Sequence, residues 1–78
     1  MKVQVLGTGC AKCRALVERV QAAAGAAGVA CDVEKVEDVA AIMAFGVMTT
    51  PALVVDGKVR AAGRLPSLEE LKGFLTGR

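Results

Sequence analysis

The 78-residue chain has no histidine, no tryptophan and no tyrosine, and only two phenylalanines and two prolines. Each shortage removes a class of function. Two aromatic rings give bases almost nothing to stack on, and the ten Lys and Arg residues are scattered rather than clustered. A net charge of +2 therefore makes no case for a nucleic-acid partner. No apolar stretch approaches the roughly 20 residues that a spanning helix needs. The segment after Met1-Lys2-Val3 lacks the longer apolar region and small-residue cleavage site of a signal peptide. The expectation is a cytoplasmic protein with no membrane and no nucleic-acid partner.

What remains is an apolar fraction of 54%, mostly Val, Ala and Leu, enough to offset the entropy of ordering so short a chain. One domain over residues 1–78 is expected. Three cysteines in a reducing compartment do not make a disulfide framework. An odd count with two of them spaced Cys-x-x-Cys, at Cys10 and Cys13, points to redox or metal chemistry.

The hydrophobic periodicity orders the chain. Residues 2–6 (KVQVL) alternate as a strand, and Gly7-Thr8-Gly9 breaks it. From Cys10 the period becomes helical, with Cys13, Leu16, Val17, Val20, Ala24 and Ala27 on one face and Gly28 as C-cap. A second strand is expected over residues 29–35. Asp38 caps a short helix running through Phe45, with Val39, Ile42 and Met43 inward and Gly46 ending it. Residues 52–55 are apolar throughout, as in a strand covered on both faces. Asp56-Gly57 then signals a tight hairpin returning as an edge strand over residues 58–62. Ser67 and Glu70 form a capping box before Leu68, Leu71, Phe74 and Leu75. The order β-α-β-α-β-β-α implies an α/β, thioredoxin-like fold: a four-stranded mixed sheet with helices on both faces and a right-handed first crossover.

Cys10 stands where the first strand stops and the first helix starts. Unpaired amides and the positive helix end favour a thiolate there, and Lys12 and Arg14 add positive charge within a turn. Cys10 is thus the expected nucleophile, with Gly9, Ala11 and Lys12 as its supporting neighbours. Cys13, on the core side of the same turn, is the expected resolving thiol. Two other readings compete. The cysteines could be small core residues, although the Gly-Thr-Gly lead-in opposes burial of Cys10. They could also hold Cu(I) or Zn(II), for which soft thiolates are suited. Copper modules of this length run β-α-β-β-α-β and end in a strand, whereas this chain ends in a capped helix. A closed zinc site wants four ligands, and without histidine it would have to recruit a carboxylate.

Gly9-Cys10-Ala11-Lys12-Cys13 after a first strand, together with residues 45–59 (FGVMTTPALVVDGKV), resembles the small thioredoxin-like proteins of bacteria and archaea, often labelled redox-active disulfide or glutaredoxin-like proteins. The resemblance covers nearly the whole chain. It implies a thiol–disulfide oxidoreductase that reduces protein disulfides, with Cys10 as nucleophile and Cys13 as resolving thiol. It further implies a cis Thr50–Pro51 bond, Pro51 packed against the disulfide, and the Thr50 backbone pairing with an extended client segment. No cofactor and no metal are implied, and electrons would come from a separate reductase. With no long apolar edge to demand a partner, a monomer is expected.

The chain departs from ordinary thioredoxins in several places. Thr8-Gly9 replaces their Trp before the first cysteine, and Ala11-Lys12 replaces their Gly-Pro between the two. No residue announces itself as the buried carboxylate used for proton transfer, and no aromatic marks a glutathione site. Cys31, on the inward side of the second strand, reads as a buried thiol without a redox role.

Overall fold

Alternation at the N-terminus does produce a strand. A computed structural model, which describes residues 1–9 and 11–77, places β1 at Lys2–Leu6 and α1 at Ala11–Ala27. These are followed by β2 (Asp32–Val36), α2 (Val39–Ala44), β3 (Ala52–Val55), β4 (Lys58–Ala62) and α3 (Leu68–Thr76). The strands form one mixed sheet in the order β2-β1-β3-β4. β1 pairs parallel with β2 and antiparallel with β3, and β3 pairs antiparallel with β4. This is the expected β-α-β-α-β-β-α order.

The two faces of the sheet are covered unequally. Val3, Val5, Leu53 and Val55 point to one side, where they meet Leu16, Val20 and Ala23 of α1 and Leu71 and Leu75 of α3. Leu6, Ala52 and Val54 point to the other side and meet Ile42 of α2 and Val47. The period-2 alternation of strands and the 3–4 residue spacing of helices dictate this division. β3, buried at all four positions, belongs to both cores.

Local signals set the element ends. Gly28, at φ +68, closes α1 with paired bonds: Gly28 N–H donates to Gly25 O (3.3 Å) and Val29 N–H to Ala24 O (2.9 Å). That exit ties the Val29 amide back to the helix end, and β2 begins at Asp32 rather than at residue 29. Its register against Lys2–Leu6 carries it to Val36. Asp56 and Gly57, at φ 48 and 83, make the tight turn between β3 and β4. Asp56 also exchanges two hydrogen bonds with Lys2, its amide donating at 2.8 Å and its carboxylate accepting at 2.9 Å. At α3 the capping box is complete, with Glu70 N–H donating to Ser67 Oγ and Ser67 N–H to Glu70 Oε1.

One expectation fails on α2. Ile42 is buried, but Val39 and Met43 are 57% and 66% exposed. Val39 and Met43 are four residues apart and share a face. In a helix of six residues that face cannot also be turned to the sheet, and Ile42 takes the inward position.

Candidate redox site

The strand register gathers one end of the sheet. Val36, Leu6, Ala52 and Ala62 lie in a row across the four strands. Just beyond that row come Gly7 at the exit of β1, Glu37 after β2, Pro51 before β3 and Gly63 after β4. The N-terminus of α1 opens at this same end, because Gly7-Thr8-Gly9 leads out of β1 directly into the helix. Gly7 N–H donates to Val36 O at 2.9 Å, extending the β1–β2 ladder by one bond.

Cys13 lies in the first turn of α1 and is only 5% exposed. Its side chain occupies the space where a Cβ on Gly7 would stand: such a Cβ would overlap the sulfur and lie 3.3 Å from Cys13 Cβ. The same position is 3.8 Å from Thr50 Cβ. Gly7 is therefore the point at which β1, the start of α1 and the loop before β3 meet. The Thr50–Pro51 bond is cis, Pro51 is buried and Thr50 is exposed. A second glycine supports the loop from outside. Gly63 N–H donates to Pro51 O at 2.9 Å, and a Cβ on Gly63 would come within 2.6 Å of Thr49 Oγ1.

Of the residues singled out from the sequence, Cys13, Thr50 and Pro51 are brought to one place. Gly9 is exposed at φ +83, and Ala11 and Lys12 are exposed at the start of α1. Cys10 lies outside the described residues. The first turn of α1 contains no acidic side chain, so nothing there offsets the positive helix end and Lys12.

Cys31 is elsewhere. It precedes β2 at the end of the sheet where Lys2 pairs with Asp32. The length of β1, about 16 Å for five residues, separates that end from Gly7. Cys31 is half-buried and packs on the α1/α3 core. Burial pushes its thiol up, against the lowering pull of the N-terminal ammonium and with a further rise from Asp56. A raised thiol is a poor nucleophile.

Gly7 and Gly63 were missed as site residues by sequence reasoning. Gly7 read only as a strand breaker, although a glycine directly after the strand that precedes Cys-x-x-Cys is the signal for close approach. Among the described residues, no three His, Cys, Asp or Glu side chains come together to hold a metal ion, and no helix is long and apolar enough to cross a membrane.

Comparison with known proteins agrees with this geometry. The family model for the thioredoxin domain matches residues 1–76. A thioredoxin of Methanothermobacter thermautotrophicus is 37% identical over 76 residues, covering 97% of this chain and 99% of the relative. A thioredoxin of Methanocaldococcus jannaschii is 35% identical over 80 residues, covering 97% of this chain and 92% of the relative.

Proposed function

From the premise that this chain belongs to the thioredoxin family and is a thioredoxin-like oxidoreductase, we propose that Cys10 and Cys13 alternate between dithiol and disulfide to reduce protein disulfides. The Cys10 thiolate attacks one sulfur of the client disulfide. A Cys10–client disulfide forms and the first client thiolate leaves. The Cys13 thiolate then attacks the Cys10 sulfur, forming the Cys10–Cys13 disulfide and releasing the second client thiolate. Two electrons and two protons pass to the client, and a separate reductase returns them. The protein needs no cofactor of its own and works as a monomer in the reducing cytosol, where it keeps client thiols reduced.

The carrying observation is the packing of Cys13 against Gly7, beside Thr50, in a helix turn free of carboxylates. Burial suits Cys13 to the second step, since a shielded sulfur resolves a neighbouring disulfide without competing for clients. Exposure suits the Thr50 backbone to hold an extended client segment next to it. The soft-metal alternative is not favoured. The order β-α-β-α-β-β-α puts the β3–β4 hairpin after α2 and α3 after the hairpin, whereas the copper modules run β-α-β-β-α-β.

Serine variants test the assignment. Cys10→Ser should lose reduction of an insulin-type disulfide. Cys13→Ser should instead accumulate a mixed disulfide on Cys10, visible by mass spectrometry. A Cys10→Ser protein that reduced insulin at the wild-type rate would refute the mechanism.

A further inference from the structure

Thiol exchange itself leaves one feature of this end of the sheet unused. A cleft of about 170 Å³ opens beside Cys13. Gly7, Gly9 and Cys13 form one wall, Arg14 rises from α1, and Lys35 and Glu37 come from the end of β2. Val5 and Val17 make its floor apolar. Arg14, Lys35 and Glu37 are each exposed, so the cleft opens to solvent.

Its charges are arranged for an anion. Arg14 and Lys35, from separate elements, place two cations on one small cleft that also touches the buried thiol. Among the described residues the ion pairs lie elsewhere, at Arg64–Glu70 and Lys72–Glu69, and neither cleft cation has a carboxylate partner. Glu37 leaves the cleft with a net charge of one, which suits a carboxylate better than a doubly charged phosphate. The volume holds several waters, at about 30 Å³ each, or one side chain. It is well short of the roughly 300–1,000 Å³ of a small-molecule pocket.

We propose that this cleft receives an acidic side chain of the client protein, close in sequence to the client's reacting cysteine. Arg14 and Lys35 attract the carboxylate and Glu37 opposes it. The cleft makes the oxidoreductase selective for disulfides with acidic flanks. This rests on the thiol-exchange reading above, because only a client bound for reaction at the cysteines brings its neighbouring residues to the cleft.

The test compares cyclic peptide disulfides that differ only in a Glu or a Gln flanking one cysteine, each reduced by the whole protein. The Glu peptide should have a kcat/KM about two- to fivefold higher, the range open to a partly solvated ion pair. The Glu/Gln ratio should fall towards one at high salt. It should likewise fall in Arg14→Gln and Lys35→Gln, and rise in Glu37→Gln. A ratio near one in the wild-type protein, with both peptides reduced, would overturn the selectivity while leaving thiol exchange intact. So would a preference that all three variants left unchanged. If a small carboxylate-bearing disulfide showed the charge preference and the peptides did not, the cleft would serve small molecules and the client assignment would fall. Failure to reduce any of these disulfides would bring down both readings together.

Discussion

The two faces of the sheet differ in how firmly they are built. On the α1/α3 face, eleven buried residues form one cluster among the described residues, with Leu16, Val20, Ala23 and Leu71 fully excluded from solvent. On the α2 face the corresponding cluster has five, and only Ile42 of α2 belongs to it. Val39, Met43 and Met48 stand on that side or in the loop following it, at 57%, 66% and 94% exposure. The redox site takes one part from each face. Cys13 is fixed by the heavier core through α1, whereas the loop carrying Thr50 descends from the lighter one. Under the proposed mechanism, a rigid thiol beside a less constrained client-binding loop suits an oxidoreductase: exchange demands closely defined sulfur positions, and clients differ in shape. The apolar Met48 adds a flexible contact surface to the same loop.

The contrast breaks or holds on paired core truncations, which give the largest effect. Leu16→Ala should cost about 4 kcal/mol, near the top of the range for a buried leucine, because α1 packs against both the sheet and α3 and cannot close the cavity. Ile42→Ala should cost about 2 kcal/mol, since a six-residue helix covering one edge of the sheet can settle inward. Urea denaturation of both variants measures the difference. Equal losses would mean that α2 is as firmly seated as α1, and the account of an adaptable client side would fail. With a typical total stability of about 5–15 kcal/mol, Leu16→Ala should also leave a detectable unfolded fraction on mild warming.

Most of this architecture can be read from the residues. β1, β3 and β4 coincide with their alternating or wholly apolar runs, and Asp56-Gly57, Asp38, Ser67/Glu70 and Gly28 each act where their chemistry places them. What could not be read is long-range. The register of β2 depends on the parallel partner, not on its own pattern, so its start slipped by three residues. The inward face of α2 was ambiguous because Val39, Ile42 and Met43 are all apolar and only tertiary contact chooses among them. The site follows the same rule. Cys-x-x-Cys and Thr-Pro are local and visible, but their meeting at Gly7, and the arrival of Lys35 and Glu37 beside Cys13, depend on strand order.

Two glycines, Gly7 against Cys13 and Gly25 near the far end of α1, give the next effect, smaller and opposite in sign. Neither has a positive φ, so alanine fits the backbone at both, and the surroundings alone decide. At Gly7 a methyl would overlap Cys13 Sγ, and Gly7→Ala should destabilise by about 1–3 kcal/mol through overpacking. It should also displace the sulfur and so shift the dithiol–disulfide equilibrium measured in redox buffers. At Gly25, inside α1 with open space around it, Gly25→Ala should stabilise by about 0.5–1 kcal/mol. Its redox equilibrium should stay at the wild-type value. If Gly7→Ala matched wild type in both readouts, the close approach of β1 to Cys13 would not matter to the site.

The smallest effect concerns the cap that seats α3 on the heavier face. Glu70 is held below the ordinary carboxylate value, first by the hydrogen bond from the Ser67 backbone N–H and then by the one from Arg64. Its pKa is lower in the folded than in the unfolded chain, so its contribution is complete above the unfolded value. That contribution disappears as pH falls from about 4.5 through the lowered folded value. Glu70→Gln keeps an acceptor for the capping box but cannot titrate. The variant should therefore be slightly less stable than wild type at neutral pH, and the difference should shrink on acidification until the two denaturation midpoints converge. A gap that stayed constant down to acidic pH would show that the ionised carboxylate contributes nothing beyond its geometry. In that case α3 would be seated by Leu71 and Leu75 alone.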